Sequence, residues 1–309
     1  MFERILITGG NGFIGSRLAR RLIEEGRDVH LVLRPGSPVP RLHGLAKRYR
    51  PWEVDLADAA GLAGAVKRCK PNLIFNLACR GVLPGRDTRG DLLTTNVSGT
   101  ANLLDALRPM SYDAFIQVGS GVEYGPSEMA LTENIPLAPV TDYASSKAAA
   151  ALLCLAEGRQ GKPVSVVRIF SAYGPGEASA RLVPYVMNTC ARGERPRVSA
   201  GTQRRDMIFV DDVVDLLIAA ADHPGHVLHA ATGEDTRVRD LIEMITDLVG
   251  GPPAVFGDRV MRPGEPERYC GDFQRTTAAT GWRPRVDLAE GLRRTWESLR
   301  PSMPALQPA

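Results

Sequence analysis

Short, continuous apolar runs alternate with longer amphipathic stretches over the first 170 residues of the chain. Buried parallel strands carry apolar side chains on both faces, so each short run predicts such a strand. In the stretches between them, apolar residues recur every three or four positions, which predicts helices. The predicted strands are residues 5–7, 29–33, a third that ends at 54, 73–78, 114–118 and 164–170, and the predicted helices are residues 13–25, 59–69, 92–107 and 143–157. This alternation predicts the α/β class, with a Rossmann-type doubly wound parallel sheet covered by helices on both faces.

The pattern changes near residue 171, where Gly and Pro become frequent and the apolar spacing becomes irregular. Helices are still predicted at 182–192, 211–221, 238–249 and 288–299, and a strand at 227–230. We expect a dinucleotide-binding Rossmann domain at residues 1–170 and a smaller C-terminal α/β substrate-binding lobe, built mainly from residues 171–300 with interleaved segments. The lobe should lie across the carboxyl edge of the sheet, and residues 301–309 should form a frayed tail.

A glycine-rich turn follows the first predicted strand and opens the first predicted helix. Gly9, Gly12 and Gly15 stand three residues apart. The first allows a tight turn, the second lets the backbone approach a pyrophosphate, and the third permits close packing of helix on strand. Where the helix begins, at Phe13 and Ile14, free N–H groups and the positive end of the helix dipole would face the phosphates. This strand–turn–helix context predicts a dinucleotide-binding site.

Residues that follow the next three strands bear on which dinucleotide binds. An acidic residue after the second strand would bind the adenosine ribose hydroxyls, but this chain has Arg34 there. Because Arg34 could pair with a 2′-phosphate, we expect NADP(H) as the preferred cofactor, with NAD(H) as the alternative if Arg34 only stacks on the adenine. Asp55 and Leu56, after the third strand, are placed to meet the adenine. Small and apolar residues end the fourth strand and would let the cofactor pass close: Leu77, Ala78 and Cys79.

Composition and charge restrict the class of protein. The 309 residues carry 38 Lys and Arg against 35 Asp and Glu, a formal charge of +3, which gives no case for nucleic acid or a membrane as partner. The five cysteines form no Cys-x-x-Cys pair and predict free thiols in a reducing cytosol. His223, His226 and His229 cluster without a carboxylate or thiol to complete a metal site, so no metal is expected. The absence of a targeting segment and of a long apolar stretch predicts a cytoplasmic protein.

Tyr143 and Lys147 stand four residues apart on a predicted helix, so their side chains lie on one face, one turn apart. A nearby ammonium favours the phenolate, which would lower the pKa of Tyr143 and the cost of moving its proton. The pattern is weak alone, because a Tyr four residues before a Lys is common on solvated helix faces. It gains meaning from the glycine loop and from Ser120 at the end of the fifth strand. Together these residues predict proton transfer beside a dinucleotide.

With these residues in view, the chain resembles the extended short-chain dehydrogenase/reductase family over nearly its whole length. Within that family it is most similar to the NAD(P)-dependent nucleotide-sugar epimerases, dehydratases and 4-ketoreductases. Five further segments carry the resemblance: residues 96–100, 118–125, 168–175, 204–213 and 262–265. In the second of these, Ser120 takes the family's catalytic Ser/Thr position, four residues before Tyr124.

The resemblance implies an enzyme that moves a hydride to or from a nicotinamide and acts on a nucleotide-diphosphate sugar. Tyr143 would exchange a proton with a sugar oxygen, Ser120 would hydrogen-bond the same oxygen, and Lys147 would hold the nicotinamide ribose. Tyr143, Lys147, Asn96 and Phe170 would also contact the cofactor. The implied substrate contacts are Glu123, Ser171, Arg181, Arg205, Arg262 and Glu265, of which Arg205 and Arg262 would clamp the diphosphate. Helices 92–107 and 143–157 would pair in a homodimer, although the same residues could simply cover the sheet.

Departures from the family pattern guide the choice of reaction. Ser171 replaces the usual Asn, so one phosphate or sugar contact is in doubt. The 4,6-dehydratases carry an Asp-Glu pair just after the catalytic Thr, where this chain has Gly121 and Val122. Glu123 is placed as in some 4-ketoreductases. Because a strand alternates its side chains, Glu123 and Ser120 should face opposite sides unless the strand end twists, which would leave Glu123 behind the site or solvated.

These features favour an NADPH-dependent 4-ketoreductase of an NDP-4-keto-6-deoxyhexose in deoxysugar biosynthesis. A 4-epimerase would keep its cofactor bound and return the hydride to the other face of the sugar. A dehydratase with unusual acid–base residues is a third candidate. A non-catalytic NADP-binding sensor is a candidate of another class, although a sensor has no need of Ser120, Tyr143 and Lys147 together.

Overall fold

A computed structural model describes residues 4–83, 85–261 and 264–300 of the chain. Its strands are β1 (Arg4–Thr8), β2 (Asp28–Leu33), β3 (Arg50–Glu53), β4 (Leu73–Asn76), β5 (Ala114–Ser120), β6 (Val164–Ile169), β7 (Ser171–Tyr173), β8 (Arg204–Arg205), β9 (Met207–Phe209), β10 (Val227–Ala230), β11 (Thr236–Arg237) and β12 (Arg268–Tyr269). Its α-helices are α1 (Phe13–Glu24), α2 (Ala59–Cys69), α3 (Arg89–Leu92), α4 (Gly99–Leu107), α5 (Asp142–Arg159), α6 (Leu182–Ala191), α7 (Val210–Asp222), α8 (Val238–Val249), α9 (Gln274–Thr280) and α10 (Leu288–Leu299). Short 3₁₀ turns occupy Pro40–Leu42 and Gly121–Tyr124, and a π-helical turn occupies Leu93–Ser98.

A seven-stranded parallel sheet, in the order β10-β6-β5-β4-β1-β2-β3, confirms the predicted Rossmann fold. Strands β4, β5 and β6 are almost wholly buried, as continuous apolar runs require when helices cover both faces. The direction of winding reverses between β1 and β4. In such sheets the crevice outside the carboxyl ends of these two strands binds the ligand.

The two faces of the sheet hold separate hydrophobic cores. On one face, Leu18 and Leu22 of α1 pack with Val213 and Leu217 of α7. On the other, α2, α4 and α5 cover the sheet with residues such as Leu103. Full burial of one such Leu side chain is worth roughly 1.5–3 kcal/mol, so both layers contribute strongly to stability.

Segments after residue 171 divide between the sheet and a second body. Strand β10 extends the parallel sheet, and α7 packs on its face. Helices α6, α8 and α10 instead surround a third core that includes Met187, Ile242 and Trp296. A three-stranded sheet in the order β11-β8-β12 and the pair β7-β9 complete this body beside the carboxyl edge of the main sheet.

The structure differs from the sequence prediction mainly in short elements. Strands of two or three residues, such as β8 and β12, are too short for an apolar alternation to predict. The predicted helix 92–107 is interrupted by the π-helical turn Leu93–Ser98, and such turns are frequent at functional sites. The fifth strand runs two residues further than predicted and ends at Ser120.

Candidate active site

The glycine loop forms a tight cradle at the start of α1. Gly9 has a φ of +66°, and its carbonyl accepts a hydrogen bond from the Gly12 N–H at 2.9 Å. A Cβ at Gly15 would lie 2.2 Å from the Gly9 oxygen, and a Cβ at Gly9 would lie 2.8 Å from the Ala78 Cα. No side chain caps α1, and its first turn has no acidic residue. The free N–H groups and the helix dipole therefore suit a pyrophosphate, as a dinucleotide would require.

The other predicted cofactor residues lie at the ends of neighbouring strands. Because β2, β3 and β4 are parallel to β1, the segments that carry Arg34, Asp55 and Leu77 all leave the same edge of the sheet. Asn11 of the glycine loop holds the segment after Arg34 by hydrogen bonds to Ser37 Oγ (3.2 Å) and the Pro38 carbonyl (3.1 Å). Leu56 is buried, and one Asp55 oxygen accepts the Ala57 N–H.

Tyr143 and Lys147 begin α5 one turn apart, where Thr141 caps the helix by accepting the Ala144 N–H. Tyr143 is half-buried and packs against the backbone of Gly81, where a Cβ would lie 2.7 Å from the ring. Lys147 is only 2% exposed, and its Nζ donates to the Val118 carbonyl at 2.6 Å. The predicted helical face is therefore present, and Lys147 is tied to β5.

The electrostatics of Tyr143 differ from the prediction. Burial raises the pKa of Tyr143 well above its ordinary value, and Cys79, Tyr269 and Glu123 act in the same direction. Arg181 opposes them. The prediction that Lys147 brings this pKa down is not confirmed, because the net effect is a rise. The phenol keeps its proton at neutral pH.

Ser120 and Glu123 hold each other across the turn that follows β5. The strand ends at Ser120, and the 3₁₀ turn brings Glu123 back, so that its Oε1 accepts the Ser120 N–H at 2.7 Å. Ser120 Oγ in turn accepts the Glu123 N–H. Glu123 is completely buried and its Oε2 bonds Arg168 Nε at 2.8 Å. The predictions that Glu123 contacts substrate or is solvated are wrong, because both oxygens are engaged inside the protein.

Asn96 supports the site from behind. It lies in the π-helical turn and is 2% exposed. Its Oδ1 accepts the Arg80 N–H at 2.8 Å, and its Nδ2 donates to Ser146 Oγ at 2.8 Å and to the Arg80 carbonyl. The side chain thus joins α5 to the loop that contains Gly81. The Asn96 side chain therefore has a supporting role, and the predicted contact of Asn96 with the cofactor stays a prediction.

An aromatic cluster closes the site beside Ser120. The rings of Phe170 and Tyr269 lie 4.8 Å apart, and the Tyr269 hydroxyl donates to the Ile169 carbonyl at 3.2 Å. Ser120 Oγ lies 3.5 Å from the same hydroxyl. The Phe170 ring, predicted to contact the cofactor, is buried in this cluster. Tyr269 was missed by sequence reasoning, and its only signal was its position shortly after the 262–265 segment.

The predicted substrate residues of the second body are partly paired with one another. Arg205 Nη2 bonds Glu265 Oε1 at 2.7 Å, so the two form an ion pair. Arg181 precedes α6, pairs with Glu177 (3.3 Å) and reaches the Val82 carbonyl at 3.5 Å. Ser171 begins β7, and its N–H donates to the Asp206 carbonyl. Arg262 lies outside the described residues.

Burial of Glu177, next to Arg181, makes the stability of the protein depend on pH. Its side chain is 6% exposed, and its Oε2 has no hydrogen-bond partner among the described residues. Burial raises its pKa from 4.5 to about 7, against the opposing effect of Arg181. A raised folded pKa means that the stabilisation by this group is fully present below about pH 4.5 and is lost as the pH rises through about 7.

We therefore expect Glu177→Gln to remove this loss. The unfolding free energy of the variant minus that of wild type should be larger at pH 8 than at pH 5, by on the order of 3 kcal/mol at most. Urea unfolding at both pH values measures the difference. Glu243→Gln, at a position where the side chain is 56% exposed, is the matched control and should change nothing. Equal pH slopes for wild type and Glu177→Gln would contradict the assignment.

The described residues hold neither a metal site nor a disulfide nor a membrane-spanning helix. Within residues 4–83, 85–261 and 264–300, no three His, Cys, Asp or Glu side chains come together as a metal site. All five cysteines are free thiols. Over the same ranges, each helix is too short or too polar to cross a bilayer.

Comparison with known proteins agrees with this geometry. The model of the NAD dependent epimerase/dehydratase family matches residues 5–231. The chain belongs to this family. The predicted membership among enzymes of the extended short-chain dehydrogenase/reductase type is thereby confirmed, and the glycine loop, Ser120, Tyr143 and Lys147 all lie in the matched part.

Relatives within the family perform three different reactions. The chain is 31% identical to dTDP-glucose 4,6-dehydratase of Streptomyces antibioticus, over 98% of both chains. It is 31% identical to UDP-glucose 4-epimerase of Mycolicibacterium smegmatis (96% of this chain, 98% of the relative) and 30% identical to GDP-6-deoxy-D-mannose reductase of Pseudomonas aeruginosa (96% and 98%). Their identities to this chain are too similar to decide among the reactions.

Solved structures confirm the fold of the family member described here. UDP-glucose 4-epimerase of Thermotoga maritima, solved with UDP-glucose, matches with a TM-score of 0.90 at 27% identity, over 96% of this chain and 99% of the other. The UDP-glucose 4-epimerase of Thermus thermophilus, solved with NAD, also matches with a TM-score of 0.90, at 25% identity over 97% and 100%.

Proposed function

We propose that this enzyme reduces the 4-keto group of a nucleotide-diphosphate-activated 4-keto-6-deoxyhexose with NADPH. The observation that carries the proposal is the turn after Ser120. Gly121 and Val122 stand where the dehydratase pattern has its Asp-Glu pair. A Cβ at Gly121 would lie 2.8 Å from the Tyr269 hydroxyl and 2.9 Å from the Phe170 ring. The acid is missing and its space is filled, which argues against water elimination at this position.

The protonation of Tyr143 supports reduction as the first step. Reduction of a ketone needs a proton donor beside the carbonyl oxygen, whereas oxidation of a hydroxyl needs a proton acceptor there. Burial raises the pKa of Tyr143, so the phenol is protonated at neutral pH. Epimerisation and dehydration both begin with oxidation of a hydroxyl and would need the phenolate first.

Each residue then has one task in the reduction. A bound nicotinamide would supply the hydride to carbon 4 of the sugar. Ser120 would donate a hydrogen bond to the carbonyl oxygen, and Tyr143 would transfer its proton to that oxygen, which gives the alcohol. Lys147, fixed by the Val118 carbonyl, would hold the nicotinamide ribose. Arg205 would bind the diphosphate and exchange its Glu265 contact for it.

The experiment that tests the proposal follows NADPH absorbance at 340 nm. Purified enzyme should consume NADPH in stoichiometric amounts when UDP-, dTDP- or GDP-linked 4-keto-6-deoxyhexoses are supplied. Nucleotide sugars without the keto group should give no consumption. Absence of turnover with the whole 4-keto panel would overturn the proposal.

A 4-epimerase is the second candidate, favoured by the relatives with that activity. Ser120 and Lys147 could serve it in the same roles, whereas Tyr143 would have to lose its proton before the first step. It would interconvert two nucleotide sugars with a catalytic amount of cofactor that stays bound. The redox state and identity of any co-purified cofactor separate the candidates, since tightly held NAD favours epimerisation and an exchanging NADP site favours reduction.

Arg34 should set the choice between NADPH and NADH. Its side chain is exposed on the segment that Asn11 ties to the glycine loop. Loss of an ion pair to the 2′-phosphate in Arg34→Ala should raise the Kd for NADPH by about tenfold and leave that for NADH within about twofold. Titration calorimetry measures both constants. Arg50→Ala, which replaces another exposed arginine, on β3, is the control. An unchanged ratio of the NADPH and NADH Kd values in Arg34→Ala would show that Arg34 does not select the cofactor.

We also propose that the body around α6, α8 and α10 binds the nucleotide sugar.

We further propose that the enzyme is a homodimer. The two helical segments expected to pair expose three leucines on their outer faces: Leu93 (48% exposed), Leu152 (50%) and Leu153 (37%). Burial of such side chains would drive association. Light scattering should give about twice the chain mass of 33.4 kDa, and Leu152→Glu should halve it. A wild-type mass of one chain would contradict the dimer.

A further inference from the structure

Glu123 and Arg168 form an ion pair inside the protein, behind the turn Gly121–Tyr124 that follows Ser120. Their side chains are 0% and 4% exposed, and Glu123 Oε2 lies 2.8 Å from Arg168 Nε. Burial of two charges is costly, and apolar residues of similar volume often stabilise a fold as well or better. Stability alone therefore does not explain this pair.

The pair determines how Ser120 uses its hydroxyl. Glu123 Oε1 accepts the Ser120 N–H, and Ser120 Oγ accepts the Glu123 N–H. A serine hydroxyl has one hydrogen to donate, and here its oxygen is already an acceptor, so the hydrogen is directed elsewhere. The neighbouring Tyr269 hydroxyl sends its own hydrogen to the Ile169 carbonyl, and its oxygen lies 3.5 Å from Ser120 Oγ, too far for a normal O–H···O bond, so the Ser120 hydrogen stays available to a sugar oxygen.

A chain of hydrogen bonds holds Arg168 in turn. Arg168 Nη1 donates to the Tyr124 hydroxyl at 2.7 Å. His229 Nδ1 lies 2.9 Å from the Asp272 carbonyl, which can only accept, so Nδ1 carries the hydrogen. Burial lowers the pKa of His229 to about 4, so the ring is neutral and its Nε2 accepts from the Tyr124 hydroxyl at 2.7 Å. Every donor in the chain has one acceptor, so the orientation of Arg168 and of the Glu123 carboxylate is fixed.

The backbone leaves room for this carboxylate. A Cβ at Gly119 would lie 2.7 Å from Glu123 Oε1 and 3.1 Å from Arg168 Cγ. Gly119 directly precedes Ser120 on β5, and any side chain at this position would displace the Glu123 carboxylate. Glycine at 119 and glutamate at 123 fit each other.

We propose that Glu123 is a positioning residue of the reaction, which, with Arg168, locks the turn so that the Ser120 hydroxyl donates to the reacting sugar oxygen. The role rests on the proposed function only in that Ser120 contacts this oxygen. It holds equally for reduction and for epimerisation.

Two replacements should separate activity from stability, because each is expected to lower only one of the two. Glu123→Gln keeps an acceptor for the Ser120 N–H but leaves the Arg168 charge unpaired, so it should lower Tm while kcat falls by less than about threefold. The double replacement Glu123→Leu with Arg168→Met removes both charges, so Tm should hold while kcat falls about 10- to 100-fold, as misplacement of a reacting group does. Parallel losses of Tm and kcat in both proteins would show a structural role only.

Combination with Ser120→Ala tests whether the effect passes through Ser120. In that background the double replacement should cost no further kcat, because the hydroxyl that it positions is gone. An undiminished 10- to 100-fold loss there would overturn the proposal.

Hydrogen exchange of the peptide covering residues 119–125 gives a readout that needs no turnover. Exchange should be faster in the double replacement and unchanged in Glu123→Gln. If no 4-keto sugar is reduced, the proposed function fails while this measurement still decides the positioning role. Unchanged exchange in the double replacement would overturn it.

Discussion

Replacement of Tyr143 by phenylalanine should lower kcat by about 10³-fold or more and leave the Kd for NADPH within about twofold. General acid catalysis by a positioned side chain contributes about 10²–10⁴-fold, and burial raises the pKa of Tyr143 so that its phenol holds the proton to be transferred. The ring that packs on Gly81 is unchanged in phenylalanine, so the cofactor side of the site should keep its shape. Stopped-flow NADPH oxidation and calorimetric titration measure the two quantities.

Two further tyrosines make this result specific. Tyr112 precedes β5 at the opposite edge of the sheet, and Tyr112→Phe should leave kcat unchanged. Tyr269 is the other phenol near Ser120, but its hydrogen is committed to the Ile169 carbonyl. If Tyr143→Phe retains turnover and Tyr269→Phe loses it, the proton donor has been assigned to the wrong tyrosine.

The sequence was sufficient where the arrangement of the candidate site depends on local spacing. The glycine loop needs only three glycines between a strand and a helix, and Tyr143 and Lys147 need only one helical turn. The parallel sheet follows from apolar runs that alternate with amphipathic helices, and its order then places these segments at one edge. Local rules of this kind leave few alternative arrangements.

Prediction failed where a side chain's partner comes from a distant part of the chain. Strand alternation predicted Glu123 either behind the site or solvated, and it lies behind the site; what spacing could not predict is the turn after Ser120 and the partner, Arg168, which comes from β6. The pKa of Tyr143 depends on burial and on Arg181, which stands before α6. Tyr269 comes from a strand of two residues. Such contacts depend on tertiary packing, which spacing along the chain does not encode.

Gly15→Ala should weaken cofactor binding strongly and lower stability together. The new Cβ would lie 2.2 Å from the Gly9 carbonyl oxygen, and its next contacts, Gly9 C and Gly10 Cα at 3.0 and 3.1 Å, are also backbone atoms. No flexible side chain can move aside, so the loop itself must shift. We expect the unfolding free energy to fall by about 1–3 kcal/mol and the Kd for NADPH to rise by about 100-fold or more, since the N–H groups that face the pyrophosphate move with the loop.

Two other glycines separate the steric effect from the loss of binding. A Cβ at Gly12 would meet only the Gly9 oxygen, at 3.1 Å, so Gly12→Ala should cost less stability yet still weaken NADPH binding, because this position approaches the pyrophosphate. A Cβ at Gly64, inside α2, would meet nothing within 4 Å. Gly64→Ala should therefore stabilise the protein by about 0.5–1 kcal/mol and leave binding unchanged. Wild-type affinity in Gly15→Ala, measured by calorimetry beside these two variants, would show that the cradle is not the dinucleotide site.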